Sequence, residues 1–302
     1  MHTVAEREPN WEWYRTFVQV LESGSLSAAG RALGLTQPTV GRHIDCLEAA
    51  LGLKLFTRSF DGFAPTDAAH ALRPYAVDLA TTAAALRRVA SSHGSGVHGT
   101  VRLTASEIIG VEVLPPILAT LRDDYPELNV ELVLSNKVDD LLRREADIAV
   151  RMFRPMQDAL VARHVGEIEL GLHAHERYLV AHGVPKSMND LSRHALIGFD
   201  QETAFIRSLL DKIETFPRRS FAFRADSDLA QLGAIRAGLG VGVCQSPLAT
   251  RDKTLVRVLR SQFSLTLDTW VAMHEDLRGS PRCAVTFAAV AAGLKAYIHG
   301  GA

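Results

Sequence analysis

Apolar side chains near the start of the chain recur at helical spacing. Tyr14, Phe17, Val18 and Leu21 follow the i, i+3, i+4, i+7 pattern of a helix with one buried face. Ser23-Gly24-Ser25 interrupts it. Ala28, Ala29, Ala32 and Leu33 predict a second, short helix, closed by Gly34 where helices often turn left-handed. A third face runs through GLTQPTVGRHIDCLEAALG, Gly34 to Gly52, in which Val40, Ile44, Leu47 and Leu51 line up. Thr36 suits the N-cap of that helix. Pro38 then falls in the first turn, where a missing N–H costs nothing. Helix, short turn, helix is a helix-turn-helix unit. After Gly52, LKLFTRSFDGFAPT has strand-like residues around Asp61-Gly62, a hairpin signal that predicts a two-stranded wing.

In residues 67–92, Ala68, Leu72, Tyr75, Leu79, Leu86 and Val89 fit alternating steps of four and three, with polar Thr82 in one slot. That period suits a helix pairing with another helix; a helix packed on its own domain also satisfies it. Pro74 should kink this helix or start it late. SSHGSGVHG (91–99) reads as a flexible linker. From Thr100 on, strands and helices alternate: VRLTA, helix VLPPILATLRDDYP, strand ELNVELVLS, helix KVDDLLRRE, strand ADIAVR. The pattern pauses near residue 162. It restarts with EIELGLHA, HALIGF and SFAFRA, the helix DLAQLGAIRAG and the strand VGVCQ. SLTLDTWVAM returns to the first lobe, and a helix opened by Ser280-Pro281 ends the pattern. Alternating βα units imply open, mostly parallel sheets with right-handed crossovers. Two such lobes with a hinge crossed twice form a cleft, with ligands at the carboxyl ends of strands.

The expected fold class is α+β for the head and α/β beyond it. The expected division is 1–66 for the head, 67–92 for a linker or dimerisation helix and 93–99 for a hinge. Residues 100–162 with 267–302 form one lobe, and 163–266 the other. The 302 residues suffice for two or three domains, and 47% apolar residues are ordinary for a protein with real cores. A net charge of −1 leaves a nucleic-acid partner open, because a basic patch can sit on a neutral chain.

Cys46, Cys244 and Cys283 stand far apart, and no C-x-x-C or Cys/His ligand spacing occurs, so no zinc site or disulfide framework is suggested. MHTVAEREPN lacks an apolar signal region and no run of 18 apolar residues exists, so a soluble cytoplasmic protein is expected. In AGLGVGV the glycines end a helix and enter a strand, the reverse of a dinucleotide fingerprint. His173 and His175 share a strand face, but two ligands make a weak metal case. No G-x-S-x-G elbow is present. No catalysis and no cofactor are expected.

SGSLSAAGRALGLTQPTVGRHIDCLEAALGLKLFTRS, with APT after it, resembles the winged helix-turn-helix of the LysR-type transcriptional regulators. LPPILATLRDDYPELNVELVLSN, READIAVR and AIRAGLGVGVCQSPLA continue the likeness more loosely, in the expected order over virtually the whole chain. The resemblance implies an N-terminal winged helix-turn-helix, a long linker helix and a C-terminal two-lobed domain similar to periplasmic binding proteins. It implies a homodimer or homotetramer that binds double-stranded operator DNA and a small organic effector. It also implies RNA polymerase as a partner if the protein is an activator, a nucleoid-associated cytoplasmic location and no membrane. By the family's pattern, the DNA-reading positions fall on Thr36, Gln37, Pro38, Gly41 and Arg42. The wing positions that contact the DNA backbone fall on Lys54 and on Thr57, Arg58 and Ser59, with Arg58 the most typical residue.

The residue chemistry agrees. Gln37 can pair with adenine, and Arg42 with guanine or a phosphate. Gly41 permits close backbone approach at a cost of about 1 kcal/mol in helix propensity; relatives more often carry serine there. Asp45 repels phosphate unless it accepts from a cytosine amino group, and is expected at the groove edge or paired with a base of the protein. Residues 1–66 carry six basic and seven acidic side chains, so non-specific affinity per copy should be weak and dimerisation should matter more.

Strand ends nominate Ser106, Glu107, Ser135, Asn136, Arg151 and Phe153 in the first lobe for effector contact. In the second they nominate Phe199, Asp200, Asp226 and Gln245, with Ser227 and Ser246 beside them. Serine and asparagine at strand ends serve equally as turn residues or caps. Arg151 either binds an anionic effector or pairs with a nearby acid. Asp200 and Asp226 would disfavour a highly anionic ligand if both face the cleft unpaired. The expectation is a small polar or aromatic molecule. Two alternatives remain: a redox-responsive regulator of the same family, and a solute-binding or enzymatic α/β protein that does not bind DNA.

Overall fold

The computed structural model describes residues 8–59, 62–90, 96–135, 146–157, 159–201 and 218–300; of Arg58, Ser59, Gly62 and Val89 it describes the backbone only. The chain divides into two compact units that meet in sequence at Ala90 and Ser91.

In the first unit, α1 (Trp11–Ser23), α2 (Leu26–Leu33) and α3 (Gln37–Leu51) follow the apolar periodicity. Each begins at a polar cap: Asn10, Ser25 and Thr36 accept from Glu12, Ala28 and Thr39 backbone N–H groups. α2 ends at Gly34, whose φ of 67° lies in the left-handed region. The turn to α3 is tight. A β-carbon at Gly30 would lie 2.8 Å from the Leu35 carbonyl oxygen, so a larger residue there would push the two helices apart. Phe17, Val20, Ala29, Val40, Ile44, Leu47 and Leu55 form the core.

The wing is β1 (Phe56–Ser59) paired antiparallel with β2 (Gly62–Pro65); the predicted turn residue Asp61 lies outside the described residues. Phe56 packs edge-on against Phe17 and stacks on Phe63, which ties the wing to α1. α4 then runs from Asp67 to Ala90 without a late start, with Pro74 inside it. Its first turns enter the core through Ala69 and Ala76. Tyr75, Leu79 and Leu86 remain 73%, 43% and 62% exposed.

Among the described residues, the second unit is built on one nine-stranded sheet. β3 (Gly99–Ala105) lies parallel between β4 (Leu128–Leu134) and β5 (Ile148–Arg151). A π-turn at Ile109–Val113 leads into α5 (Leu114–Asp124). The predicted helix KVDDLLRRE lies outside the described residues. β6 runs unbroken from Leu160 to His175, so the strand does not pause where the sequence pattern does. It pairs antiparallel with β11 (Leu265–His274) along that strand's whole length, with a register shift between Thr269 and Trp270 opposite Gly166, whose φ is 134°. This antiparallel ribbon joins two parallel groups, which is why the sheet is more mixed than alternating βα units suggest.

The second group is β9 (Val241–Gln245), β7 (Leu196–Gly198) and β8 (Phe221–Arg224), with β10 (Leu255–Val258) on the other side of β6. Short helices α6 (Glu176–His182), α7 (Asp228–Arg236) and α8 (Ser246–Ala249) serve this group. α9 (Pro281–Ile298) closes the chain, burying Cys283, Phe287, Val290, Ala291 and Leu294. Among the described residues, no helix is long and apolar enough to cross a membrane.

Candidate nucleic-acid interface and effector cleft

The two faces of α3 separate cleanly. Val40, Ile44 and Leu47 are buried, whereas Thr36, Gln37, Pro38, Arg42 and Asp45 are exposed. The cap leaves the first N–H groups of α3 at the surface, where the helix end carries partial positive charge. A β-carbon at Gly41 would meet nothing nearer than Leu26 Cδ1 at 3.9 Å, so the space outside Gly41 is open. Arg42 has no hydrogen-bond or ion-pair partner among the described residues. His43 Nδ1 lies 2.9 Å from the buried Thr16 Oγ1, which fixes α3 against α1.

Two contacts here escaped the sequence reading. Ser27 Oγ on α2 donates to Gln37 Oε1 at 2.9 Å. Glu48, 7% exposed, accepts from Lys54 Nζ (2.5 Å), Leu55 N (2.8 Å) and Phe56 N (3.2 Å). Burial pushes the Glu48 carboxyl up, but Lys54 and the two N–H groups outweigh that and hold it below its ordinary value of 4.5. Lys54 is thus engaged with a carboxylate rather than standing alone at the wing. Thr57 Oγ1 reaches the Ala64 carbonyl across the hairpin at 3.5 Å. Arg58 holds its place on β1, and its side chain lies outside the described residues.

In the second unit, three predicted positions converge at the carboxyl ends of β3, β4 and β5. Ser135 N donates to the Ala105 carbonyl at 2.8 Å, and Arg151 Nη1 to the Ser135 carbonyl at 3.4 Å and the Val150 carbonyl at 3.0 Å. Ser106 and Arg151 are buried; Phe153 and Phe199 are half-buried. Asn136 lies outside the described residues. At the ends of β7 and β8, Asp226 Oδ1 accepts from the N–H groups of Asp200 (3.0 Å) and Gln201 (2.8 Å). The Asp200 carboxylate pairs with Arg218 and, at 3.5 Å, with Arg224. Both acids are therefore partnered, and the repulsion expected of an unpaired pair does not arise. Gln245 Oε1 accepts from Tyr297 O–H at 2.6 Å.

Glu107 reaches across to α7, where its Oε2 accepts from Ser227 Oγ (2.7 Å) and Leu229 N (3.4 Å). At the other end of α7, Arg236 binds Glu112 through two bonds of 2.6 and 3.0 Å, and this pairing lowers the Glu112 carboxyl. Asp228, beside Glu107, is pushed up to about 6, first by burial and then by the neighbouring carboxylate. Hydrophobic periodicity does not pair Glu112 with Arg236 or Tyr297 with Gln245, because the partners sit on elements far apart in sequence.

The remaining candidates are structural. His173 Nδ1 lies 2.9 Å from the Gly171 carbonyl, and His175 Nδ1 accepts from Arg177 N at 3.1 Å at the start of α6. In AGLGVGV, a β-carbon at Gly240 would lie 2.1 Å from the Ala195 carbonyl oxygen, the tight packing of a helix-to-strand turn.

Comparison with known proteins assigns these surfaces to a family. Residues 11–70 match the family described as bacterial regulatory helix-turn-helix protein, lysR family, and residues 94–295 match the LysR substrate binding domain. An HTH-type transcriptional regulator of Xanthomonas campestris pv. campestris (strain 8004) is 28% identical over 232 residues, 74% of this chain and 67% of that protein. The HTH-type transcriptional regulator CrgA of Neisseria meningitidis serogroup C is 31% identical over 193 residues, 64% of each. The structure of CrgA from Neisseria meningitidis aligns with a TM-score of 0.59 at 25% identity, covering 95% of this chain and 99% of that one. Full-length CbnR complexed with its target DNA shares the fold, with a TM-score of 0.65 at 20% identity over 97% of this chain and 100% of that one. The helix-turn-helix match covers the exposed face of α3, and the other, spanning more than half of the chain, covers the mixed sheet. The chain therefore belongs to the LysR-type transcriptional regulators, a family of DNA-binding proteins with an effector-binding domain and not a family of enzymes.

Proposed function

We propose that this chain reads operator DNA with the exposed N-terminal end of α3 and answers to a small organic effector held where the strand ends of its two lobes meet. The reading divides the chain into a head (1–66), a pairing helix (67–92), a hinge (93–99), one lobe (100–162 with 267–302) and a second lobe (163–266). It rests above all on one observation. Thr36, Gln37, Pro38 and Arg42 are exposed on a helix whose opposite face is fixed in the core, and Arg42 is unpartnered among the described residues.

Gln37 and Arg42 then read base edges, Thr36 and Pro38 line the approach, and Gly41 lets the backbone come close. Thr57 and Arg58 meet the DNA backbone beside them. Lys54 contributes less positive charge than its type suggests, because Glu48 faces it. Partnering by two copies along α4 is supported by exposed Tyr75, Leu79 and Leu86, and a dimer or tetramer offsets the weak charge of a single head. Contact with RNA polymerase follows only if the protein activates, and a nucleoid location follows from DNA binding.

For the effector, Ser106, Glu107, Ser135, Asn136, Arg151, Phe153, Phe199, Asp200, Asp226 and Gln245 remain the proposed lining. Internal partners already engage Glu107, Ser135, Arg151, Asp200, Asp226 and Gln245, so a ligand either displaces these bonds or uses Ser106 and the aromatic edges around them. A polar or aromatic molecule fits that surface. The redox alternative is disfavoured at Cys244: burial pushes its thiol up to about 12, so at neutral pH it is not the thiolate that oxidant sensing needs.

A mobility-shift assay on the DNA beside the chain's own coding sequence tests the proposal. The expected result is a sequence-specific shift at moderate salt that changes when effector is added. No specific shift, with or without ligands, would overturn it. Screening metabolites by melting temperature identifies the effector, since ligand at a hundred times its Kd stabilises by about 2.7 kcal/mol.

A further inference from the structure

We propose that Ser27, on α2, is a positioning residue that sets the base preference of Gln37. The inference deepens the reading of Gln37 as a base-reading residue and rests on it. Ser27 Oγ donates to Gln37 Oε1 at 2.9 Å, and both residues are exposed. No burial requirement explains this bond, since water would satisfy either group equally well. Its effect is on the side chain of Gln37. A free glutamine rotates about three bonds and presents its amide either way round. With Oε1 accepting from Ser27, Nε2 has no protein partner among the described residues and keeps its two hydrogens to donate. One lone pair of Oε1 remains available to accept.

That arrangement matches the edge of adenine, which accepts at N7 and donates from N6. Held the other way round, with Oε1 foremost, the amide would instead suit cytosine, whose N4 amino group donates. The bond is also already made before DNA arrives, so less conformational freedom is lost on binding. Ser27 sits two residues past the Ser25 cap, which accepts from Ala28 N at 3.1 Å, so the cap of α2 does not depend on Ser27. The turn of the helix-turn-helix brings the first turn of α2 against the first residue of α3, and the pairing has no counterpart in local sequence.

The test is selection from a pool of randomised duplex DNA by the full chain and four variants, with the base frequencies read at each position. Alanine at position 27 preserves helix propensity, so the fold survives. Ser27→Ala is expected to blunt the preference at one base pair by about two- to tenfold, the range of a single neutral hydrogen bond. Other positions and affinity for unselected duplex should stay unchanged. Ser27→Thr, which keeps a hydroxyl, should restore the preference. Gln37→Ala should flatten the same position, and Ser27→Ala combined with Gln37→Ala should do no more. If Gln37→Ala alters that position while Ser27→Ala leaves it sharp, Ser27 does not position Gln37. A loss spread evenly over all positions in Ser27→Ala would mark a merely structural role. If Gln37→Ala changes no base preference, the reading of Gln37 itself fails, and this inference with it.

Discussion

Glu48 is a buried acid that works for the wing rather than for DNA. It holds Lys54 and the first two N–H groups of the segment entering β1. Its carboxyl lies below its ordinary value in the folded state, so its ionised form stabilises the fold at neutral pH. That contribution fades as pH falls below about 4.5 through the folded value. Glu48→Gln should destabilise the head by ~1–3 kcal/mol at pH 7, and the deficit should shrink in acid melts. Gly41 behaves in the opposite sense. Gly41→Ala should raise head stability by about 1 kcal/mol while weakening specific binding, because the added methyl points into the open space meant for DNA. Arg42→Ala should cost ~1–3 kcal/mol of specific binding in footprint titrations, and an unchanged footprint would place the reading helix elsewhere.

At the scale of elements, α4 carries the clearest unfinished surface. Its first turns are buried in the head, but Tyr75, Leu79 and Leu86 are not covered. Leu79→Glu with Leu86→Glu should shift the full chain toward monomer in sedimentation and weaken operator binding with it. The helix in 67–92 was readable because a helix repeats faithfully, and Pro74 did not delay its start at Asp67. The same periodicity located α1, α2 and α3, and the residue types at Thr36 and Gly34 marked the cap of α3 and the end of α2, whereas the Asn10 and Ser25 caps came only from the structure. It could not show that Glu48 turns inward, because the face of a charged residue depends on what the wing places beside it. Ser27 and Gln37 illustrate the same limit at a turn: each is unremarkable alone, and only the packing of α2 on α3 brings them together.

At the scale of the molecule, the second unit is joined by side chains at both ends of α7. Glu107 meets its start through Ser227, and Glu112 meets its end through Arg236. Asp228 sits beside Glu107 with its carboxyl pushed up to about 6, above the ordinary 3.8. Such an acid favours the fold when protonated, so this contribution is lost as pH rises from about 4 to 6. Asp228→Asn should therefore melt higher than the parent at pH 7, by up to ~2–3 kcal/mol, and the two should converge near pH 4. The Thr36 cap, the apolar period and the succession of strands and helices along the chain were written in local sequence, since each depends on neighbours two to four residues away. From them came the helix-turn-helix, the wing and the alternating strands. The unbroken β6–β11 ribbon, the partners of Asp200, Asp226, Gln245 and Glu107, and the hold of Ser27 on Gln37 were decided by tertiary structure alone. Those are meetings of residues far apart in the chain, and whether a polar side chain faces a ligand or a protein partner is settled only when folding brings its competitors within hydrogen-bond reach.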